Sequence, residues 1–296
     1  MNICLFKPEE IGKPLDIKDE RAVHLLKILH KGEGDSFAAG IIGGKAGRAT
    51  ITRLEVHEEK SADGRKSFKK GSISFDFVGE SDGKPLFPLR MIIGFPRPIQ
   101  LKRLLRDMAG LGVCEIHLTA TELGEKSYLK SDLATQGSGY EMLLEGCEQA
   151  ASTHIPKLFM HDSLAKCLDF LEGAAVAGVS SAVAGASSAD GFCKEGDSSA
   201  VAGVSSANGR FLKAALDNVG ASESLVSFMA RNCPQKEALR GAVAAIGSER
   251  GWTQGERLLL EERGYSRLCM GSRVLRTETA ATVAASLILG AMGFLN

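Results

Sequence analysis

The chain carries no excess of charge of either sign: 36 Lys and Arg stand against 36 Asp and Glu in 296 residues. This excludes a general polycation, so any nucleic-acid contact has to come from a local patch. Long runs of large apolar residues are missing too. The only charge-free stretches near eighteen residues are an Ala/Gly/Ser/Val repeat and the C-terminal segment, both built from small residues and too weakly apolar to span a membrane. The first ten residues, MNICLFKPEE, hold too short an apolar run for a signal peptide, so a cytoplasmic location is expected. The seven cysteines have no C-x-x-C spacing and no paired histidines beside them, which argues against a zinc site; no metal is expected. Several lie in apolar runs and read as small buried residues in a reducing compartment. Neither G-x-x-x-x-G-K-[ST] nor G-x-G-x-x-G occurs.

What is present fits two domains with a real core, at 44% apolar residues. In residues 1–80, the runs Ile3–Phe6, Asp35–Ile42, Ala49–Val56 and Ser72–Val78 read as short strands of a small β-barrel. One helix, Asp19 to His30, interrupts them, with Ala22, Val23, Leu26 and Leu29 at helical spacing. Lys60 to Lys70 is a basic loop, suited either to phosphates or to a solvated turn. From residue 86 onward the pattern changes to α/β. Leu89–Phe95 is a parallel-type strand, Pro98 opens a helix ended by Gly110 and Gly112, and Val113–Thr119 is the next strand. That helix exposes Lys102, Arg103 and Arg106, an RNA contact or simply a solvated face. Leu164–Leu171 is a further helix. AVAGVSSA then occurs at 175–182 and again at 200–207, marking a low-complexity insertion over about 172–210, expected as a disordered surface loop. Leu225–Ala230 is expected to resume as a strand.

Residues 242–292 carry the most information. Ala242–Ile246 is a small apolar run closed by Gly247, a buried strand. Thr253-Gln-Gly-Glu256 is a capping box that starts a helix, and Gly264 ends it. Arg267–Met270 is a second strand closed by Gly271, and Thr277 is the expected N-cap of a final helix. Ala280, Val283, Ala284, Leu287, Ile288 and Ala291 form one apolar stripe on that helix. The opposite face is small and uncharged, so the helix is expected to pack on its own sheet and on a second subunit. The two glycine-bounded loops, Gly247–Gly251 and Gly271–Arg276, each follow a strand end, where open α/β sheets bind ligands.

The segments IGSERGWTQGE and CMGSRVLRTETA resemble the C-terminal signature of bacterial 16S rRNA uracil-N3 methyltransferases, the ribosomal small-subunit methyltransferase E family of the SPOUT superfamily. Ile246, Gly247, Glu249, Gly251, Trp252, Thr253 and Glu256 match the first part, and Gly271, Val274 and Leu275 to Ala280 the second. In the N-terminal part VHLLKILHKGEGD resembles a family segment at His24, Leu25, Leu29, Gly34 and Asp35, with His30 where an Arg is usual. Further on, Glu145, Glu148, Gln149 and Pro156 match, while Ser152 or Thr153, and Leu123 or Lys126, stand where the family has Arg. The resemblance implies a PUA-like RNA-binding barrel followed by a SPOUT α/β domain with a C-terminal trefoil knot. It also implies a homodimer through the last helix, and S-adenosylmethionine as cofactor.

On this basis the cofactor is assigned to Leu118, Thr119, Ile246, Gly247, Ser248, Glu249, Gly251, Leu268, Met270, Gly271, Val274 and Leu275. His24, Lys27, Arg103 and Gln149 are assigned to RNA. The expected reaction is methyl transfer to N3 of a 16S rRNA uridine. Arg276 would hold the uracil oxyanion or a phosphate, and Glu278 or Glu249 would take the proton; the alternatives are an Arg276–Glu278 ion pair and a Glu249 placed near the start of the Thr253 helix. His24, His117, His154 and His161 have no partners at catalytic spacing. The missing arginines keep two other functions open, a non-catalytic RNA-binding protein of the same dimer fold and a SPOUT methyltransferase of another RNA such as tRNA.

Overall fold

The computed structural model of the chain describes residues 1–60, 67–130, 137–176, 210–233 and 239–295. They form two compact units, Met1–Lys84 with Cys147–His154, and Pro85–Gly146 with Ile155–Asn296.

The first unit is built on strands β1 (Cys4–Phe6), β2 (Leu15–Asp16), β3 (Ser36–Ile41), β4 (Ala46–Lys60) and β5 (Ser67–Ser81). They pair in the order β1-β3-β4-β5-β2, with β1 parallel to β3 and the other pairs antiparallel. Alternation puts Phe37, Ile51, Ile73 and Phe75 on one face, where they enclose a core with Phe6 and Leu25. Of the Lys60–Lys70 loop, residues 61–66 lie outside the described residues.

The helix expected over Asp19–His30 is shorter and partly unwound. Helix α1 (Glu20–Val23), capped by the Asp19 carboxylate, runs straight into a π turn over His24–Ile28. The wider turn changes the inward face: Ala22 and Leu25 are buried, whereas Leu29 is exposed. Arg21 fixes this corner, donating to the Leu5 carbonyl at 2.8 Å, to Glu10 at 2.7 Å and to Asp19 at 2.8 Å.

In the second unit all seven strands are parallel. They are β6 (Phe87–Gly94), β7 (Val113–Thr119), β8 (Lys157–His161), β9 (Arg210–Leu216), β10 (Glu223–Ser224), β11 (Leu239–Ile246) and β12 (Ser266–Cys269), in the order β10-β12-β9-β11-β6-β7-β8. Its helices are α2 (Pro98–Leu111), α3 (Ser138–Ala150, whose last four residues belong to the first unit), α4 (Leu164–Val176), α5 (Leu225–Asn232), α6 (Gln254–Glu262) and α7 (Thr277–Ala291), with a short 3-10 turn at Lys126–Lys130. Helix α2 begins with Pro98 at its first position and ends at Gly112, whose φ of 76° closes the helix in the left-handed region.

Leu225–Ala230 is helical, not a strand. The Ser224 side chain accepts from the Ser227 N–H as an N-cap, and Leu225, Phe228 and Met229 are buried at helical spacing. The strand belongs to the preceding FLKAAL run, in β9. Helix α4 continues to Val176, five residues into the stretch assigned to the insertion; residues 177–209 lie outside the described residues. The described residues stop at Val176, the last of α4, and resume at Arg210, the first of β9.

Helix α7 packs on α2, α5, β6 and β11. Its N-cap is Arg276, one residue before the expected Thr277. Its buried band is Ala280, Ala281, Ala284, Ala285, Ile288 and Leu289, turned relative to the expected stripe so that Val283 and Leu287 are only half-buried. The rotation follows from covering on several sides: sheet and helices together demand small residues at 280, 281, 284 and 285. Leu287, Ser286, Gly290 and Ala291 instead line an open apolar groove of about 600 Å³ with Val226, Met229, Ala230 and Cys233 of the α5 region.

Candidate active site

Parallel strands place their carboxyl ends at one edge of the sheet, and the chain's glycine-bounded turns gather there. One of them follows β11. Gly251 N–H donates to the Ser248 carbonyl at 2.8 Å, and Gly251 has a φ of 75°. The end of β6 presses against this turn: a Cβ on Gly94 would lie 2.3 Å from Ser248 N. Ile246, Gly247 and Ser248 are buried, and Glu249 is exposed.

Three bonds tie the neighbouring segments together. The Thr277 hydroxyl donates to the Gly247 carbonyl at 3.4 Å, bringing the start of α7 onto the β11 turn. Glu256 closes the expected capping box by accepting from Thr253 N–H at 2.9 Å, and its other oxygen accepts from Glu122 N–H at 2.9 Å. One buried carboxylate thus starts α6 and holds the loop after β7. Replacing it leaves two N–H groups without their acceptor, so Glu256→Ala should lower stability by about 1–3 kcal/mol in denaturant unfolding. Glu256→Gln, which can accept from only one of them well, should fall between.

The segment Gly271–Arg276 passes from β12 to α7 at the end of β11. Since β9 separates β12 from β11, this segment spans the carboxyl end of β9. Gly271 is exposed with a φ of 93°, Met270 and Leu275 are half-buried, and Val274 is 82% exposed. Leu118, Thr119 and Leu268 are fully covered, with Thr119 Oγ1 donating to the Ala120 carbonyl at 3.1 Å; they shape the wall from behind.

The charged candidates fall into distinct surroundings. Arg276 is exposed, and it forms no ion pair with Glu278. Glu278 is buried in the first turn of α7, where the helix dipole favours an anion. Glu249 does not serve the Thr253 helix; Arg97, the N-cap residue of α2, donates to it through Nε at 3.1 Å. Two buried hydroxyls at this edge, Ser248 Oγ and Thr121 Oγ1, have no hydrogen-bond partner among the described residues. Free buried hydroxyls beside glycine turns suit a polar ligand that lies flat against backbone.

The candidates for RNA are dispersed. His24 is half-buried at the π turn and Lys27 exposed; Gln149 is exposed, its Oε1 accepting from the N-terminal ammonium at 3.3 Å. Arg103 is exposed, 3.6 Å from Asp107. Ser152 and Thr153, one of which stands where the family has Arg, are both buried, and Thr153 donates to the Gly44 carbonyl at 2.7 Å.

The sequence pattern did not reveal β9 or the loop after it. That loop starts at Asp217, whose carboxylate accepts from Arg257 Nε of α6 at 2.6 Å. The signal was the FLKAAL run followed by an Asp-Asn-x-Gly turn, masked by the adjoining repeat. Nor did spacing reveal that His117 and His161 meet, with Nδ1 and Nε2 3.0 Å apart across β7 and β8.

The sequence model of a family described as an RNA methyltransferase domain matches residues 83–194 and 212–289. Ribosomal RNA small subunit methyltransferase E of Treponema pallidum is 36% identical over 98% of this chain and 91% of its own length. Ribosomal RNA small subunit methyltransferase E 1 of Borreliella burgdorferi is 28% identical over 97% of each. The chain belongs to the ribosomal RNA small subunit methyltransferase E family. Among solved structures, the family's Neisseria gonorrhoeae protein, determined bound to S-adenosyl methionine, has a TM-score of 0.62 at 19% identity and covers 98% of this chain and 97% of that one. A Legionella pneumophila protein described as a putative methyltransferase, also with bound SAM, has a TM-score of 0.61 at 19% identity over 98% of each chain. The family's mixed α/β fold is therefore that of this chain. The matched residues run from just before β6 to most of α7, with only residues 195–211 between the two matched segments.

Proposed function

We propose that the chain transfers the methyl group of S-adenosylmethionine to N3 of a uridine in the 16S rRNA of the small ribosomal subunit. The observation that carries this reading is the pairing of two turns, Ile246–Gly251 and Leu268–Leu275, at one sheet edge, pinned by the Thr277–Gly247 bond. Backbone groups of these turns and of Thr119–Glu122, with the Ser248 and Thr121 hydroxyls, would hold the cofactor. The passage from β12 over β9 to α7 is read as the trefoil knot, and the five-stranded first unit as a PUA-like RNA-binding barrel carrying His24, Lys27 and Gln149.

S-adenosylmethionine supplies an electrophilic methyl group. Uracil N3 is a poor nucleophile while protonated, so the protein has to remove that proton and stabilise the anion. Arg276, exposed and free of Glu278, holds the developing oxyanion. Glu278 takes the proton in preference to Glu249, which Arg97 already engages. The base edge has to be unpaired or flipped to reach them. No helix among the described residues is long and apolar enough to cross a membrane, and an rRNA substrate places the enzyme in the cytoplasm.

The groove between α5 and α7 is read as the homodimer surface. None of its residues is charged, and apart from Ser286, whose hydroxyl donates to the Thr282 carbonyl at 2.8 Å, they lack polar side-chain oxygen or nitrogen, which suits a symmetric contact. Leu287→Asp should convert a dimer to monomers in light scattering; a wild-type monomer at micromolar concentration would remove this part of the reading.

A second substrate class is favoured by Ser152 and Thr153, one of which stands at an expected arginine position: both are buried and leave no side chain for RNA there. Incubating purified small subunits, naked 16S rRNA and tRNA with enzyme and cofactor, then digesting to nucleosides for mass spectrometry, tests both. 3-Methyluridine confined to small-subunit RNA is expected. Methylation of tRNA alone would reassign the substrate. No S-adenosylmethionine binding in calorimetry would leave an RNA-binding protein without transferase activity.

A further inference from the structure

Three soft donor groups that methyl transfer does not use lie together beneath α4. His117 on β7, His161 at the end of β8 and Cys167 on α4 are all buried, and their ligand atoms lie within 4.8 Å of one another. His117 Nδ1 and His161 Nε2 are 3.0 Å apart, with the two rings near-parallel and their centroids 5.3 Å apart. The other side of His117 is fixed: its Nε2 meets the Glu115 carboxylate at 3.3 Å, and Arg90 Nε holds that carboxylate at 2.9 Å. Phe159 stacks on the His117 ring at 4.8 Å. His161 Nδ1 is buried without a hydrogen-bond partner among the described residues.

We propose that His117 Nδ1, His161 Nε2 and Cys167 Sγ form a binding site for a soft monovalent d10 cation, copper(I) by chemical class. A histidine ligand normally gives its second N–H to a carboxylate, which fixes tautomer and ring, and Glu115 stands in that place for His117. Its Nδ1 lone pair then points at the cluster. Both rings are buried, so the neutral imidazole that a metal ligand requires is the form the surroundings favour. The spacing needs little adjustment. Two nitrogens about 2.0 Å from one ion and a sulfur about 2.3 Å from it span at most roughly 4.3 Å, so the Cys167 side chain has to close by about half an ångström.

Charge decides between ions. Arg90 and Glu115 neutralise each other, and Asp162 beside His161 is paired with Lys166 at 2.7 Å, so among the described residues the anion left to balance a bound cation is the Cys167 thiolate. A monovalent ion gives a neutral buried site, whereas zinc would leave an uncompensated positive charge and lacks a fourth ligand among the described residues. Thiolate with imidazole is also a donor set that suits copper(I). Binding releases the Cys167 S–H proton to solvent and moves the His161 proton from Nε2 to Nδ1; no electron is transferred.

The full chain is titrated anaerobically with copper(I) against a chromogenic copper(I) chelator, and the loaded protein is measured by X-ray absorption. Because the chain has seven cysteines, the readout is the difference between proteins. Wild type should hold one more tightly bound ion than either Cys167→Ala or His161→Phe, the latter keeping an aromatic ring in the stack. Glu115→Gln should weaken that ion about 10- to 100-fold. The absorption spectrum of wild type loaded with one equivalent should show nitrogen as well as sulfur neighbours. Equal stoichiometry in wild type and a folded variant, or a spectrum with sulfur neighbours alone, overturns the proposal.

Discussion

Gly94→Ala should weaken S-adenosylmethionine binding at least about tenfold in calorimetry and lower unfolding stability by about 1–3 kcal/mol, the usual cost of overpacking. The added methyl would meet Ser248 N at 2.3 Å, Gly247 C at 2.7 Å and Ser248 Cα at 2.9 Å. All three are backbone atoms of the turn proposed to cup the cofactor, and none can rotate away as a side-chain tip would. The end of β6 therefore has to part from the turn, and the turn's N–H and C=O groups move off the positions a flat ligand needs. A contrasting site is Gly110, on the exposed side of α2, where a Cβ meets nothing within 4 Å. Gly110→Ala should leave binding unchanged and, by helix propensity, stabilise slightly. If Gly94→Ala binds cofactor as tightly as wild type, the Gly247–Gly251 turn is not the binding element.

Arg276→Ala should cut methyl transfer by about 10²–10³-fold, the range found when one donor to a developing anion is removed. Cofactor affinity and melting temperature should hardly change. Arg276 caps α7 through its backbone, its carbonyl accepting from Ala280 N–H at 2.7 Å, and no side-chain cap bond exists to lose. A mutation here therefore separates chemistry from folding, which a change at buried Glu278 would not. Arg276→Lys keeps the charge but loses the planar fork, so it should recover only part of the rate. Transfer at the parent rate in Arg276→Ala, with the fold intact, would remove Arg276 from the mechanism and leave the turn's backbone N–H groups to stabilise the anion.

Both tests depend on a segment whose local structure was legible in its residues. Thr253-Gln-Gly-Glu256 predicts a capping box, and both of its hydrogen bonds are formed; Gly264, expected to end that helix, has a φ of 78°. Val113–Thr119 is a strand over its whole expected length. These features are local: a cap or a glycine turn is decided by residues three or four apart. The FLKAAL strand was hidden by the repeat beside it, and Leu225–Ala230 looked extended because a short apolar run does not distinguish strand from buried helix. Its Ser224 cap would have done so.

What the sequence by itself determined is the α/β character of residues 86 onward, the two glycine turns, a last helix with no charged face beyond its first turn and, through fixed motif spacing, the family. Only the tertiary structure decided which strands are neighbours. It put β9 between β12 and β11, so that the Gly271–Arg276 segment has to span a third strand to reach α7. It turned α7 so that Leu287 faces a groove, gave Glu249 to Arg97, and set His117 against His161 at a separation of 44 residues. The reason is physical: strand order and side-chain encounters between distant segments are set by how whole faces bury against one another, and no local preference of the chain encodes that.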